Sequence, residues 1–251
     1  MGNANIRKAG KNATKSTILS LAAVLFFNIA AVSTCQAQAA LLVLVFGDKI
    51  ATEKFHTSID AGLNFSSMPG LENSKTRYGL YFGLGTFVKL NDKWAFTPEF
   101  KPLSQRGARE VDPLMAYPSI RDAKYSIMAN YIDVPLMVQY KIRPEIFVAA
   151  GPQISFLTAA TQETKGTLIG TGNDITASED FRKSFNPMYF CFPVEIGFSL
   201  PEVIPGQGMD IKIRYCIGIN DVIKDQGYGS SSLSSLQVFA SFPFIKKATK
   251  E

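Results

Sequence analysis

The acids and bases that could do chemistry are strung along the chain rather than gathered in a motif: Asp60, Lys89, Glu99, Lys101, Asp133, Lys141, Glu195, Asp210, Lys212 and Arg214. Brought together, such a set could move protons or form internal ion pairs. Acyl transfer or hydrolysis normally needs a histidine beside a serine or an acid. The only histidine, His56, opens an alternating segment and has no such neighbour in sequence. Zinc is equally unsupported, because after residue 39 the chain has one His, two Cys and no ligand spacing. Gly83-Leu84-Gly85 lies inside an alternating run and opens no helix, and Gly166 to Gly172 lacks the Lys-Ser/Thr of a phosphate loop. The sequence therefore predicts no catalytic residue, no cofactor and no metal. Cys191 and Cys216 fall in the same phase of neighbouring segments. They form a disulfide if the register pairs them, and are otherwise two small apolar interior side chains.

The elements that carry these residues alternate with period 2 throughout. Ile59, Ala61, Leu63 and Phe65 oppose Asp60, Gly62 and Asn64. Gly79 to Leu90 sets Phe82, Leu84 and Val88 against Gly83, Gly85 and Lys89, and Trp94, Phe96, Pro98 and Phe100 oppose Thr97, Glu99 and Lys101. Ile132 to Ile142, Ile146 to Phe156, Met188 to Leu200, Met209 to Ile219 and Leu236 to Phe244 repeat the pattern. These segments predict an all-β, antiparallel up-and-down barrel of about eight strands, most near the ~9–11 residues of a tilted membrane strand.

One face of every segment is apolar, and the other holds the charges of both signs. A charge facing lipid at the midplane costs about 2–4 kcal/mol, so the acids and bases must point inward. An eight-strand barrel is just wide enough for side chains to fill it. Gly62, Gly83, Gly85, Gly151 and Gly197 leave room for the long ones, which predicts a packed polar lumen and no open channel. Connections alternate short and long: Asn91 to Lys93, Arg143-Pro144 and Pro201 to Gly208 against long stretches such as Leu103 to Lys124, Thr158 to Ser184 and Asn220 to Ser232. Sorted connections are the mark of a transmembrane barrel, with short periplasmic turns and long external loops. Trp94, Tyr140 and Tyr215 are the expected interfacial or belt aromatics.

The first 39 residues read as a signal peptide. A basic region ends at Lys15, an apolar run follows from Thr17 to Val32, and Ala37-Gln38-Ala39 supplies the cleavage pattern. Acylation at Cys35 is disfavoured by the bulky Thr34 before it. Residues 40–54 then form a periplasmic lead-in, 55–245 the barrel and 246–251 a C-terminal tail, with both termini in the periplasm. The leader holds Arg7, Lys8, Lys11 and Lys15 and no acid, so most of the net charge of +5 resides there. No basic stripe remains for nucleic acid.

The stretch Tyr131-Ile-Asp-Val-Pro-Leu-Met-Val-Gln-Tyr-Lys-Ile142, followed by Phe147-Val-Ala-Ala-Gly-Pro152, resembles the PorT-like outer-membrane β-barrel proteins of Bacteroidota. The resemblance extends to the leader and to the early strand with Gly62 and Asn64. It implies a membrane-embedded barrel of about eight strands and, from one branch of that family, an accessory role in type 9 protein secretion. From the residues themselves the expectation is a non-catalytic protein of the outer membrane, in contact with its lipid. Its long external loops are expected to meet an unknown ligand or partner, an envelope or secretion protein among the candidates. A narrow solute channel is the remaining alternative.

Overall fold

The computed structural model describes residues 52–244 apart from positions 53, 72, 205–206 and 225–230. The segments expected to form a signal peptide, most of the lead-in and the C-terminal tail lie outside the described residues. Ten strands follow one another: β1 (Phe55–Ser67), β2 (Lys75–Lys89), β3 (Trp94–Arg109), β4 (Ile120–Lys141), β5 (Ile146–Ala150), β6 (Gln153–Leu168), β7 (Asp174–Asp180), β8 (Met188–Ile204), β9 (Gln207–Gly218) and β10 (Ser234–Phe244). All pairings are antiparallel, and β1 pairs with both β2 and β10, so the sheet closes on itself.

β5 and β6 both pair with β4 on one side and β8 on the other, which makes them one stave broken at Gly151-Pro152. Proline has no N–H to give the ladder. The carbonyl of Pro152 still accepts from Leu136 N–H at 2.9 Å, and Gly151 N–H donates to Pro193 O at 3.3 Å, so the break does not open the wall. β7 pairs only with β6 and stands outside the ring. Eight staves therefore close the barrel, as the alternation predicts.

Side chains sort by phase. On β8 and β9 the outward Phe192, Val194, Ile196, Ile211, Ile213 and Ile217 are exposed, while the intervening Cys191, Glu195, Lys212, Arg214 and Cys216 are buried. Trp94 is exposed and packs against Tyr140 with ring centroids 4.8 Å apart. At this end the turns are short. In the turn after β2, Asn91 Oδ1 accepts from the backbone N–H groups of Lys93 (2.9 Å) and Trp94 (3.0 Å), an Asx turn that reverses the chain locally.

The other end differs from the sequence expectation. Leu103 to Lys124 and Thr158 to Ser184 are not loops for most of their length: β3 runs on to Arg109, β4 begins at Ile120, β6 reaches Leu168, and β7 completes a second hairpin. The cause is a change of phase. Lys101 pairs with Asp133 but Ser104 pairs with Tyr131, so β3 carries one extra residue there, a β-bulge. Inward positions are odd up to Lys101 and even from Ser104 through Arg106 to Ala108. β6 does the same between Leu157 and Ala159, after which Ala160, Gln162 and Thr164 face inward. Each flip cancels the alternation in any window that spans it. At about 3.3 Å per residue and a tilt of about 45°, the 22 residues of β4 rise roughly 50 Å, twice the ~25 Å of an apolar membrane band.

Candidate functional site: a charged lumen closed at one end

The barrel interior is built in three layers. The middle layer holds the sequence-predicted residues Asp60, Glu99, Lys101, Asp133, Glu195, Lys212 and Arg214, every one of them buried. Arg214 is the hub. Its Nη1 and Nη2 donate to both carboxylate oxygens of Glu99 at 2.8 and 2.7 Å, its Nε donates to Glu195 at 2.8 Å, and Nη1 also reaches the Tyr81 hydroxyl at 3.0 Å. A planar guanidinium suits this forked contact, which an ammonium could not make. Glu99 also pairs with Lys101 at 3.3 Å, and Lys101 pairs with Asp60, whose Oδ1 accepts from the Ser58 hydroxyl at 2.9 Å. The Phe239 ring lies under the Arg214 guanidinium at 5.0 Å.

Register explains how long side chains fit. Gly83 stands opposite Asp60, Gly85 opposite Glu99, and Gly197 opposite Lys212. A Cβ on Gly197 would run into the ring of Phe147, which lies against that glycine. Glu195 and Arg214 face one another across the β8–β9 pair.

A second ion pair, between Arg106 and Asp133, sits toward the long-loop end, and Arg106 lies beyond the β3 bulge. Its guanidinium carbon is 5.4 Å from the Tyr131 ring and 5.8 Å from the Tyr189 ring. Sequence reasoning missed Arg106 because it assigned the segment to a loop. Lys101 is in register with Asp133, yet Lys101 pairs with Asp60 and Glu99 instead, leaving Asp133 to Arg106.

The layer at the long-loop end is apolar. Met68, Leu71, Val111, Phe185, Val222, Ile223 and Leu233 come from the connections and pack inside the mouth on Ala108, Ile127, Leu157 and Tyr189. They are pinned by a bridge between Phe185 and Ile223, by Asn186 N–H to Val222 O at 2.8 Å, and by the Tyr189 hydroxyl donating to Leu233 O. Among the described residues the lumen is thus filled by ion pairs and covered at this end by folded connections. The layer at the short-turn end is a cavity of about 410 Å³, lined among others by His56, Lys89, Lys141, Asp210 and Lys212. His56 stacks on Phe87 at 4.6 Å. Among the described residues no group of His, Cys, Asp and Glu is placed to hold a metal ion.

Cys191 and Cys216 are both buried and are held as two thiols. Cys191 is opposite Gly218 and Cys216 opposite Pro193, so the pair is diagonal rather than in register. Diagonal neighbours have Cα atoms about 7–8 Å apart, beyond the usual disulfide span. Non-reducing peptide mass spectrometry after denaturing alkylation is expected to find both thiols modified. A linked Cys191–Cys216 peptide is the contrary result.

A closed antiparallel barrel with an apolar outer face and a charged, filled lumen defines a transmembrane β-barrel. The chain belongs to the outer membrane protein beta-barrel domain family, whose model matches residues 36–224. Similar solved structures include Ail, the attachment invasion locus protein of Yersinia pestis, in complex with the heparin analogue sucrose octasulfate. It is 14% identical, the match covers 75% of this chain and 97% of that one, and the TM-score is 0.36. The outer membrane protein OprG from Pseudomonas aeruginosa is 12% identical over 78% of this chain and 98% of its own, with a TM-score of 0.42. Neisserial surface protein A is 12% identical over 76% and 96%, with a TM-score of 0.37. No curated protein sequence matches the chain.

Proposed function

We propose that this is a non-catalytic, closed barrel of the outer membrane that presents its long hairpins, β3–β4 and β6–β7, to a ligand or partner outside the cell. Both termini and the short turns face the periplasm after removal of residues 1–39, and the apolar outer face contacts lipid. The observation that carries the reading is the division of labour along the barrel axis. The wall is continuous, and the lumen is occupied by charged side chains and an apolar cap. The long hairpins project at one end, while at the other only β8 and β9 pair on through the expected connection Pro201 to Gly208. Rigid scaffolds with elaborated connections commonly place recognition there. The Tyr131-to-Pro152 resemblance supports a PorT-like protein of Bacteroidota, and an envelope or secretion protein is then the partner to seek first.

The test is topological. A cysteine introduced at Ser178, on the exposed β6–β7 hairpin, should react with a membrane-impermeant maleimide on intact cells, in a background lacking Cys191 and Cys216. A cysteine at Asn91 should react only after lysis. The reverse pattern would overturn the orientation, and stepwise conductance in planar bilayers would overturn the closed lumen. The lipid contact makes a separate prediction. Ile213→Arg places a charge on the outward face between the inward Lys212 and Arg214. It is expected to destabilise the folded barrel by about 2–4 kcal/mol, measured by urea unfolding in lipid vesicles. A change within about 0.5 kcal/mol, as for an ordinary surface site, would place that face in water.

A further inference from the structure

We propose that the cavity at the short-turn end is a binding site for a small oxyanion, a carboxylate or phosphate group on a body with an apolar face, with Lys212 at its floor. The argument is an inventory of which charges are already matched. Three acids line the cavity: Asp92, Glu99 and Asp210. Asp92 is held by Lys89 at 2.7 Å and Glu99 by the forked contact from Arg214, while Asp210 has the Ser199 hydroxyl and the more distant charge of Lys212.

The cations are not matched in the same way. Lys93 and Lys141 line the same cavity and make no side-chain ion pair or hydrogen bond among the described residues. Lys212 is nearly buried, and its nearest carboxylate oxygen, on Glu195, is 3.9 Å away, too far for a hydrogen bond. An ammonium carries three donors, and withdrawing it from water without using them is costly. The rings of Phe147 and Phe239 lie 5.7 Å away, and the carboxylates of Asp60, Glu99 and Asp210 act on it from beyond the distance of Glu195. An oxyanion at the floor would accept from Lys212, with Lys141 and Lys93 above it. Phe147 and the stacked His56–Phe87 pair offer a flat apolar wall to the rest of the molecule. Most ligand sites are concave and largely apolar with a few convergent polar groups, and about 410 Å³ falls within their usual size.

The experiment titrates inorganic phosphate and hexanoate into the full mature chain in phosphatidylcholine nanodiscs, following amide shifts of residues 139–141 and 210–214 by NMR. Saturable shifts are expected in the wild type, lost in Lys212→Met and weakened about tenfold in Lys141→Gln, the size of one lost charge-assisted hydrogen bond. Heat-modifiable gel migration confirms that each variant is folded. Repeating the titration in phosphatidylglycerol discs separates the sources. Reduced affinity there assigns the oxyanion to a lipid headgroup, and unchanged affinity assigns it to a free solute. Absence of saturable shifts, or equal affinity in a folded Lys212→Met barrel, overturns the site. These outcomes do not depend on which hairpin acts outside the cell.

Discussion

Replacing Arg214 by Met is expected to cost about 3–5 kcal/mol of barrel stability. Arg214 is wholly buried and satisfies Glu99 twice, Glu195 once and the Tyr81 hydroxyl. Without it Glu99 keeps only Lys101 at 3.3 Å, and Glu195 keeps only the distant Lys212 at 3.9 Å. The penalty arises from stranded carboxylates rather than from lost packing, since Met fills much of the same volume. That distinction is measurable. Arg214→Met combined with Glu99→Gln removes one charge of each sign and leaves Lys101 with Asp60 and Glu195 with Lys212. The double variant should recover more than half of the loss, a coupling of the kind expected inside one charge network. Equilibrium urea unfolding in lipid vesicles reads both. Additive losses, or a single-variant cost below about 1 kcal/mol, the range of an exposed ion pair, would mean that water reaches the carboxylates and that the lumen is not dry.

The parts of this network that were legible in the sequence share one property: they lie on strands whose alternation is unbroken. On β9 the order Asp210, Ile211, Lys212, Ile213, Arg214 declares its faces outright, and on β8 Glu195 sits between Val194 and Ile196 in the same way. The glycines opposite Asp60, Glu99 and Lys212 were readable as space for long neighbours. What stayed hidden depends on register and on phase. Spacing alone places Cys191 and Cys216 at similar depth, but only the pairing of Glu195 with Arg214 shows that they are diagonal. Val222, Ile223 and Leu233 lie in a Gly/Ser-rich connection and carry no period, so nothing local reveals that they fold back to cap the lumen. The bulge in β3 is the costliest case. It converts a strand into an apparent loop and removes Arg106 from consideration.

That bulge supplies the second large effect. Arg106→Met is expected to cost about 3–5 kcal/mol, because Asp133 is fully buried and loses the cation that pairs with it among the described residues. Arg109→Met, three residues along the same strand, should cost no more than about 1 kcal/mol. Arg109 is exposed, with one hydrogen bond to Thr76 O at 2.9 Å and its guanidinium 5.4 Å from the Tyr78 ring. If β3 kept the phase of Glu99 and Lys101 to its end, the ranking would invert: odd positions would face inward, Arg109 would be the interior cation and Arg106 an outer one. The same unfolding assay on the two variants therefore measures on which face each arginine lies. Equal costs, or a larger cost at Arg109, would remove the bulge from the fold and with it the partner of Asp133. A third variant, with Pro102 deleted, restores a single phase along β3. Ser104 and Arg106 then follow Lys101 at regular two-residue spacing and stay inward, so the folded, heat-modifiable form should survive; its loss would mean that closure of the barrel needs the extra residue.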